Sequence, residues 1–325
     1  MARQSPEFLR SMIIDERGRG READHAAIEQ WTPEQGVLWL HFDIADPAIG
    51  NWLASQPDLP AVAVDTLLAG ETRPRSLVTD NGMLTVLRGV NTNPGADPED
   101  MVSIRVWIDK HRIISSRRRR LLSVDDLSKA LQEGTGPGST GNFLVALVER
   151  LADRIGGFVD AIEDRMDAAE DEISRGKQAG FRQRLSTLRR QIAEVRRFLA
   201  PQRDALDRLT RQTSTWLSEA DAYGLRQESD RITRFLEDLD LAKERAIVLQ
   251  EELLSLIAQE QNARMYVLSV VAAIFLPLTF VTGLLGMNVG GLPGLDSPVG
   301  FLWSIVVMIV SAIGLLFFFR WKRWL

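Results

Sequence analysis

The sequence predicts a mixed fold: an N-terminal α/β domain, a long helical stalk, and two membrane-spanning helices at the C-terminus. Three patterns predict it. Short alternating apolar runs bounded by turn residues fill the first third. Helical periodicity then dominates from Asn142 onward. Finally, charge almost vanishes: after Met265 only Asp296, Arg320, Lys322 and Arg323 remain. The chain has 325 residues and a formal charge of −5, a length that suits two or three folding units.

The α/β domain is expected over residues 1–133. Gly36–Ile44 (GVLWLHFDI) and Leu84–Val90 (LTVLRGV) read as strands. Met101–Ile108 alternates Val102, Ile104, Val106 and Ile108 against Ser103, Arg105 and Trp107, and HRIISSRR follows after a short turn, so the two are expected to form a hairpin. NWLASQPDLPAVAVDTLLAG reads as short helices with loops. GRGRE near Gly18 is a turn, and Gly134–Gly141 (GTGPGSTG) is a linker.

A helical and stalk domain is expected over residues 142–263. From Asn142 to about Arg175, Leu144, Leu147, Val148, Leu151, Ile155, Val159, Ile162 and Met166 share one face. GKQAG breaks the chain. Phe181 to about Thr215 resumes the pattern, with Pro201 expected to kink or restart the helix. Phe235, Leu239, Ala242, Ala246, Leu249, Leu253 and Leu256 then form a heptad seam. No Pro or Gly interrupts from Leu225 to Pro277, so one helix is expected to run from the stalk into the bilayer. The seam alone also fits a static coiled-coil stalk.

A transmembrane domain is expected over residues 264–325. Met265–Leu285 and Val299–Phe319 are uncharged runs of 21 residues each, enough to cross about 30 Å of hydrocarbon. Arg264 precedes the first span; Arg320, Lys322 and Arg323 follow the second; the connecting loop has no Lys or Arg. That asymmetry places both termini in the cytoplasm, with Trp321 and Trp324 at the inner interface. Within the first span, Met265, Leu268, Ala272, Leu276, Thr279 and Gly283 recur at spacings of three and four, forming one stripe beside Pro277. Such a stripe fits either a close helix–helix contact or the wall of a pore enclosed by several copies.

Composition narrows the function further. No cysteine is present, which excludes disulfides and thiolate metal sites, and the three histidines (His25, His41, His111) lie outside the apolar tail. The N-terminus has no apolar run of signal-peptide length, so the body is expected in the cytoplasm. A mildly acidic balance argues against a nucleic-acid surface. Arg117–Arg120 is a basic run that reads either as an anionic-ligand site or as a strand end paired with carboxylates. No nucleophile–base set or phosphate-binding loop appears, so no enzyme activity and no cofactor are expected.

Gly286-Met287-Asn288 closes the first span, preceded by FLPLTFVTGLL and approached by ELLSLIAQEQNARM. This arrangement resembles the CorA family of divalent-cation transporters. GMNVGGLPG (Gly286–Gly294), QEGTGPG (Gln132–Gly138), RRFLAPQRD (Arg196–Asp204) and the closing RWL are similar to the ZntB-type zinc-transporting branch. The resemblance implies a funnel-shaped homopentamer in a bacterial-type inner membrane. Five first spans line the pore at Met265, Leu268, Leu276 and Thr279, with Gly286, Met287 and Asn288 at the mouth. Magnesium-selective members carry an acidic Met-Pro-Glu-Leu type loop after this tripeptide. Here Val289–Pro298 reads VGGLPGLDSP, whose only acid is Asp296.

On this reading, an Asn288 ring hydrogen-bonds the water shell of the ion, Thr279 hydroxyls lie below it, and Leu276, Leu268 and Met265 form apolar constrictions. Direct zinc ligation asks for His, Cys, Asp or Glu, which the span lacks. The ion is therefore expected to cross hydrated: zinc first, with cadmium, nickel, cobalt or magnesium as other candidates. Proton coupling is implied by the resemblance alone. The alternatives are a magnesium or cobalt channel of the same fold driven by membrane potential, and a membrane-anchored scaffold without flux.

Overall fold

The structure, a computed structural model, describes residues 6–175, 180–211, 217–287 and 298–322. It contains two compact units, Met1–Gln250 and Glu251–Leu325.

The first unit is built on a seven-stranded sheet. Its strands are β1 (Phe8–Ile14), β2 (Gly20–Glu22), β3 (Val37–Asp43), β4 (Arg75–Thr79), β5 (Gly82–Gly89), β6 (Val102–Ile108) and β7 (Arg112–Arg117). They lie in the order β2-β1-β3-β7-β6-β5-β4. β3 and β7 are parallel; every other neighbouring pair is antiparallel. The β6–β7 hairpin closes over a turn in which Asp109 Oδ1 accepts from the amides of His111 and Arg112.

Both faces of the sheet are covered, which explains why its central strands carry few polar positions. One face packs on α2 (Pro47–Ala54) and α3 (Ala61–Leu68), where Ile49, Leu53, Ala63 and Leu67 meet Phe42, Leu84, Trp107 and Ile114. α1 (His25–Glu29), capped by the Asp24 carboxylate, lies at its margin. Thus Arg105 and Trp107, the weaker half of the alternating β6 pattern, are fully buried. Trp39, from the opposite face, meets Phe143 edge-on at 5.0 Å.

α4 (Leu122–Glu133) ends at Gly134, whose φ of 75° is the left-handed conformation that glycine adopts without strain. The glycine linker then docks on the β1–β2 turn: Gly136 N donates to Gly18 O at 3.1 Å. A Cβ at Gly18 or Gly138 would collide with the facing backbone, so the close approach requires glycine at both.

α5 (Thr140–Ser174), α6 (Phe181–Arg211) and the first part of α7 (Glu219–Leu285) form a helical layer. α5 and α6 are antiparallel, with Arg165 donating to Gln191 at 2.8 Å and Arg184 pairing with Glu172. α7 runs parallel to α5 at nearly constant offset: Arg231 pairs with Asp153 (2.7 Å), and Arg245 with Glu170 (2.7 Å) and Asp167 (2.5 Å). Against α6 it is antiparallel, with Ser229 donating to Asp207 and Arg196 pairing with Asp240. Leu239, Ala242, Ala246 and Leu249 of the heptad seam are buried within the single chain, as are Ile232 and Leu236. Pro201 lies inside α6 without ending it.

Candidate ion path

α7 continues through the second unit as one helix of 67 residues, about 100 Å at ~1.5 Å per residue. α8 (Gly300–Trp321) is the second helix long and apolar enough to cross a membrane. Because α7 is helical throughout, Met265, Leu268, Ala272, Leu276, Thr279 and Gly283 stand on one line about 27 Å long.

Met265, Leu268 and Leu276 are 65%, 69% and 69% exposed in the single chain. The flank bearing Val267 and Val271 is open as well, whereas Val270, Ile274, Pro277 and Val281, opposite the stripe, are half-buried. The uncovered stripe and the uncovered flank both require cover. Lipid is able to cover one, and a further copy of the chain the other.

Thr279 is the polar member of the stripe. Its Oγ1 donates to Phe275 O at 2.8 Å, one turn back. The hydroxyl hydrogen is thereby occupied, and the oxygen offers lone pairs outward. It therefore presents acceptor character to whatever lies beside it, which suits a cation or the water around one. Thr282 behaves similarly, donating to Thr279 O at 3.0 Å. Pro277 lies within the helix and has no N–H, so the Ala273 carbonyl has no i+4 amide partner there.

At the end of the span Gly286 N donates to Thr282 O at 2.9 Å, and a Cβ at Gly286 would press on that oxygen at 3.0 Å. Met287 is 44% exposed. Asn288 and the loop through Ser297, including Asp296, lie outside the described residues, as do Arg323 and Trp324. Just before the span Arg264 pairs with Glu260 at 3.4 Å across one turn. Trp321 stands at the end of α8 with the Lys322 ammonium 5.5 Å from its ring centre.

Charge returns in the first unit. Burial, then Asp238, Asp160 and Asp167, push the Glu163 carboxyl up, with Arg245 opposing. Among the described residues no group of three or more His, Asp or Glu side chains is arranged to hold a metal ion. In the basic run, Arg119 forks onto Asp100 and Arg120 meets Asp125 at 2.7 Å. Arg118 has no ion pair among the described residues. Sequence reasoning did not find the junction where Asp221 accepts from Ser218 N (3.0 Å), Ser218 Oγ (2.7 Å) and Asn142. That junction ties the start of α5 to the start of α7, and none of its three residues belongs to an apolar period.

Residues 34–323 match the family described as CorA-like Mg2+ transporter protein. The divalent cation transporter CmaX of Pseudomonas aeruginosa is 42% identical over 317 residues, covering 96% of this chain and 95% of that protein. The solved structure of full-length CmaX superposes over 100% of both chains with a TM-score of 0.86 and 39% identity. The zinc transport protein ZntB of Yersinia enterocolitica is 37% identical over 294 residues, 90% of this chain and 89% of its own. The CorA magnesium transporter structure from Methanocaldococcus jannaschii shares the fold at 16% identity, with a TM-score of 0.83 over 98% of this chain and 100% of its own. The apolar helix pair and the exposed α7 stripe therefore belong to a membrane transporter, and the chain is a member of the CorA family of divalent-cation transporters.

Proposed function

We propose that the chain takes up zinc across a bacterial-type inner membrane through a central path enclosed by five copies, with both termini in the cytoplasm. The observation that carries the reading is the uncharged, exposed stripe of α7, with a single outward oxygen at Thr279 and Gly286-Met287-Asn288 beyond it. A wall without a carboxylate, imidazole or thiolate has nothing to bind bare zinc, so the ion crosses with its water shell. Asn288 amide oxygens from five subunits meet that shell at the mouth. Leu276, Leu268 and Met265 close the path by dewetting.

Zinc is favoured by the similarity to ZntB and by a loop whose only acid is Asp296. Cadmium, nickel and cobalt share the size and hydration that the ring would read. Magnesium transport driven by membrane potential is the second reading, favoured by the family's own description. Proton coupling would run through pore water or cytoplasmic acids, since the spans hold no titratable carboxylate or histidine.

Flux into proteoliposomes tests both readings. Radiolabelled zinc should enter, faster with an inward pH gradient, and Asn288→Ala should abolish uptake while the assembly stays pentameric. Magnesium entry set by potential with no zinc entry would establish the second reading. Absence of flux for every divalent ion would leave only a membrane-anchored scaffold.

A further inference from the structure

A cavity of about 720 Å³ opens in the first unit, between the loop after α3, the ends of β5, β6 and β7, and α6. Arg73, Arg88, Arg118, Arg119 and Arg197 stand on its wall, opposed by Glu71 and Asp100. Five positive and two negative side chains leave a net charge of +3 in a protein whose overall charge is −5. Asp100 is already taken by the Arg119 fork, at 2.5 and 3.2 Å. Among the described residues Arg73, Arg118 and Arg197 have no ion pair. Other exposed arginines, such as Arg17, Arg190 and Arg226, also stand outside the ion pairs described; these three are set apart by lining one hollow together.

A further guanidinium lies behind the wall. Arg105 is fully buried, and its Nη2 donates to the carbonyl of Gly70 on the cavity rim at 2.9 Å. Its Nε and Nη1 have no hydrogen-bond partner, nor does Arg88 Nε. Burial, then the neighbouring Arg88 and Arg118, hold Arg105 down to about 10. Buried donors without partners and uncompensated like charges are costly, and an anion in the hollow would relieve the charge repulsion.

We propose that this cavity binds a linear oligophosphate anion, as free tripolyphosphate or as the phosphate chain of a nucleoside triphosphate, held by Arg73, Arg118 and Arg197. Charge sets the class: a surplus of +3 matches several phosphate groups better than one carboxylate. Guanidinium forks suit phosphate oxygens, which they meet in pairs. Size agrees, because 720 Å³ far exceeds one phosphate and falls within the range of small-molecule sites. The Phe198 ring already carries the Arg88 guanidinium at 3.9 Å, so that face is not free to stack a base. The phosphate chain, rather than the nucleoside, is what the site reads. This proposal is independent of the ion carried by the transmembrane unit.

Calorimetric titration of the full chain in detergent, in metal-chelated buffer, tests it with sodium tripolyphosphate, ATP, AMP and adenosine. Tripolyphosphate and ATP should bind within about threefold of each other, and AMP at least tenfold more weakly. Adenosine should give no heat. The double variant Arg118→Ala/Arg197→Ala should weaken tripolyphosphate at least tenfold, while Arg118→Lys/Arg197→Lys should retain part of the binding. Tripolyphosphate should raise the melting temperature of the parent and not of the alanine variant; that readout also shows whether the variant is folded. Adenosine binding as tightly as ATP would overturn the proposal, as would unchanged affinity in the alanine variant. So would absence of binding together with dissociation of the alanine variant's subunits, which would mean that the arginines face a neighbouring copy's carboxylates.

Discussion

His41 stands 2.9 Å from Ser115 Oγ through its Nδ1, while Trp39 Nε1 donates to the same oxygen at 2.9 Å. The ring is buried and its Nε2 has no partner. Burial, then the charges of Arg117 and Arg10, push the imidazole down to about 3 from an ordinary value near 6.5. A base depressed on folding takes up its proton in the unfolded chain first. Stability is therefore full above about pH 6.5 and falls as pH drops toward 3, by at most about 1.4 kcal/mol per pH unit. His41→Gln removes that dependence. Between pH 6.5 and 5, the unfolding free energy of the parent, read from urea midpoints, should fall by about 1.6 kcal/mol relative to the variant; parallel pH profiles would show that His41 is not the group responsible. The sequence displays His41 only as one of three scattered histidines. Its contact with Ser115 depends on β3–β7 pairing across more than 70 residues, which no local pattern encodes.

At the scale of elements, periodicity made the long helices legible. α5 begins two residues before Asn142, and α6 begins at the expected Phe181, because their apolar faces recur with helical period. β3, β5, β6 and β7 were legible for the corresponding reason. β1, β2, β4 and α4 were not. β1 reads FLRSMII and ends in three consecutive buried residues, so it lacks alternation at its C-terminal end. β4 and β2 are short, and α4 starts without a side-chain cap. The heptad seam was visible but its partners were not. It packs on α5 and α6 of the same chain, and the period contains nothing that separates such packing from a seam between copies. Gly141 marks that packing at its origin: a Cβ there would overlap the buried Asp221 carboxylate that links α5 to α7. Gly141→Val should cost about 1–3 kcal/mol, read as a lower melting temperature and faster hydrogen exchange at the start of α7. An unchanged melt would mean that the junction is slack.

For the whole molecule, family membership and the two apolar helices follow from patterns that span most of the chain. The stripe of α7 from which the ion path is proposed was legible, because its helical spacing includes the positions implied by the resemblance, from Met265 to Thr279. The hydrogen bond that turns the Thr279 oxygen into an outward acceptor was not legible, since it depends on a side-chain rotamer. Nor was the arginine-lined cavity, which assembles residues from five separate segments; only Arg118 and Arg119, within the basic run, were marked in advance.

The central claim is that the α7 stripe borders water while the opposite, half-buried face does not. The chain contains no cysteine, so single thiols can be placed without background. Thr279→Cys lies on the stripe near the Gly286 end of the span, and Val281→Cys lies about 160° away around the helix, at ~100° per residue. The most direct test is zinc flux into proteoliposomes before and after a membrane-impermeant, charged thiol reagent. Rapid labelling and loss of flux in Thr279→Cys, with neither in Val281→Cys, is the result expected. Labelling of Val281→Cys with Thr279→Cys protected would put the stripe against lipid and contradict the account.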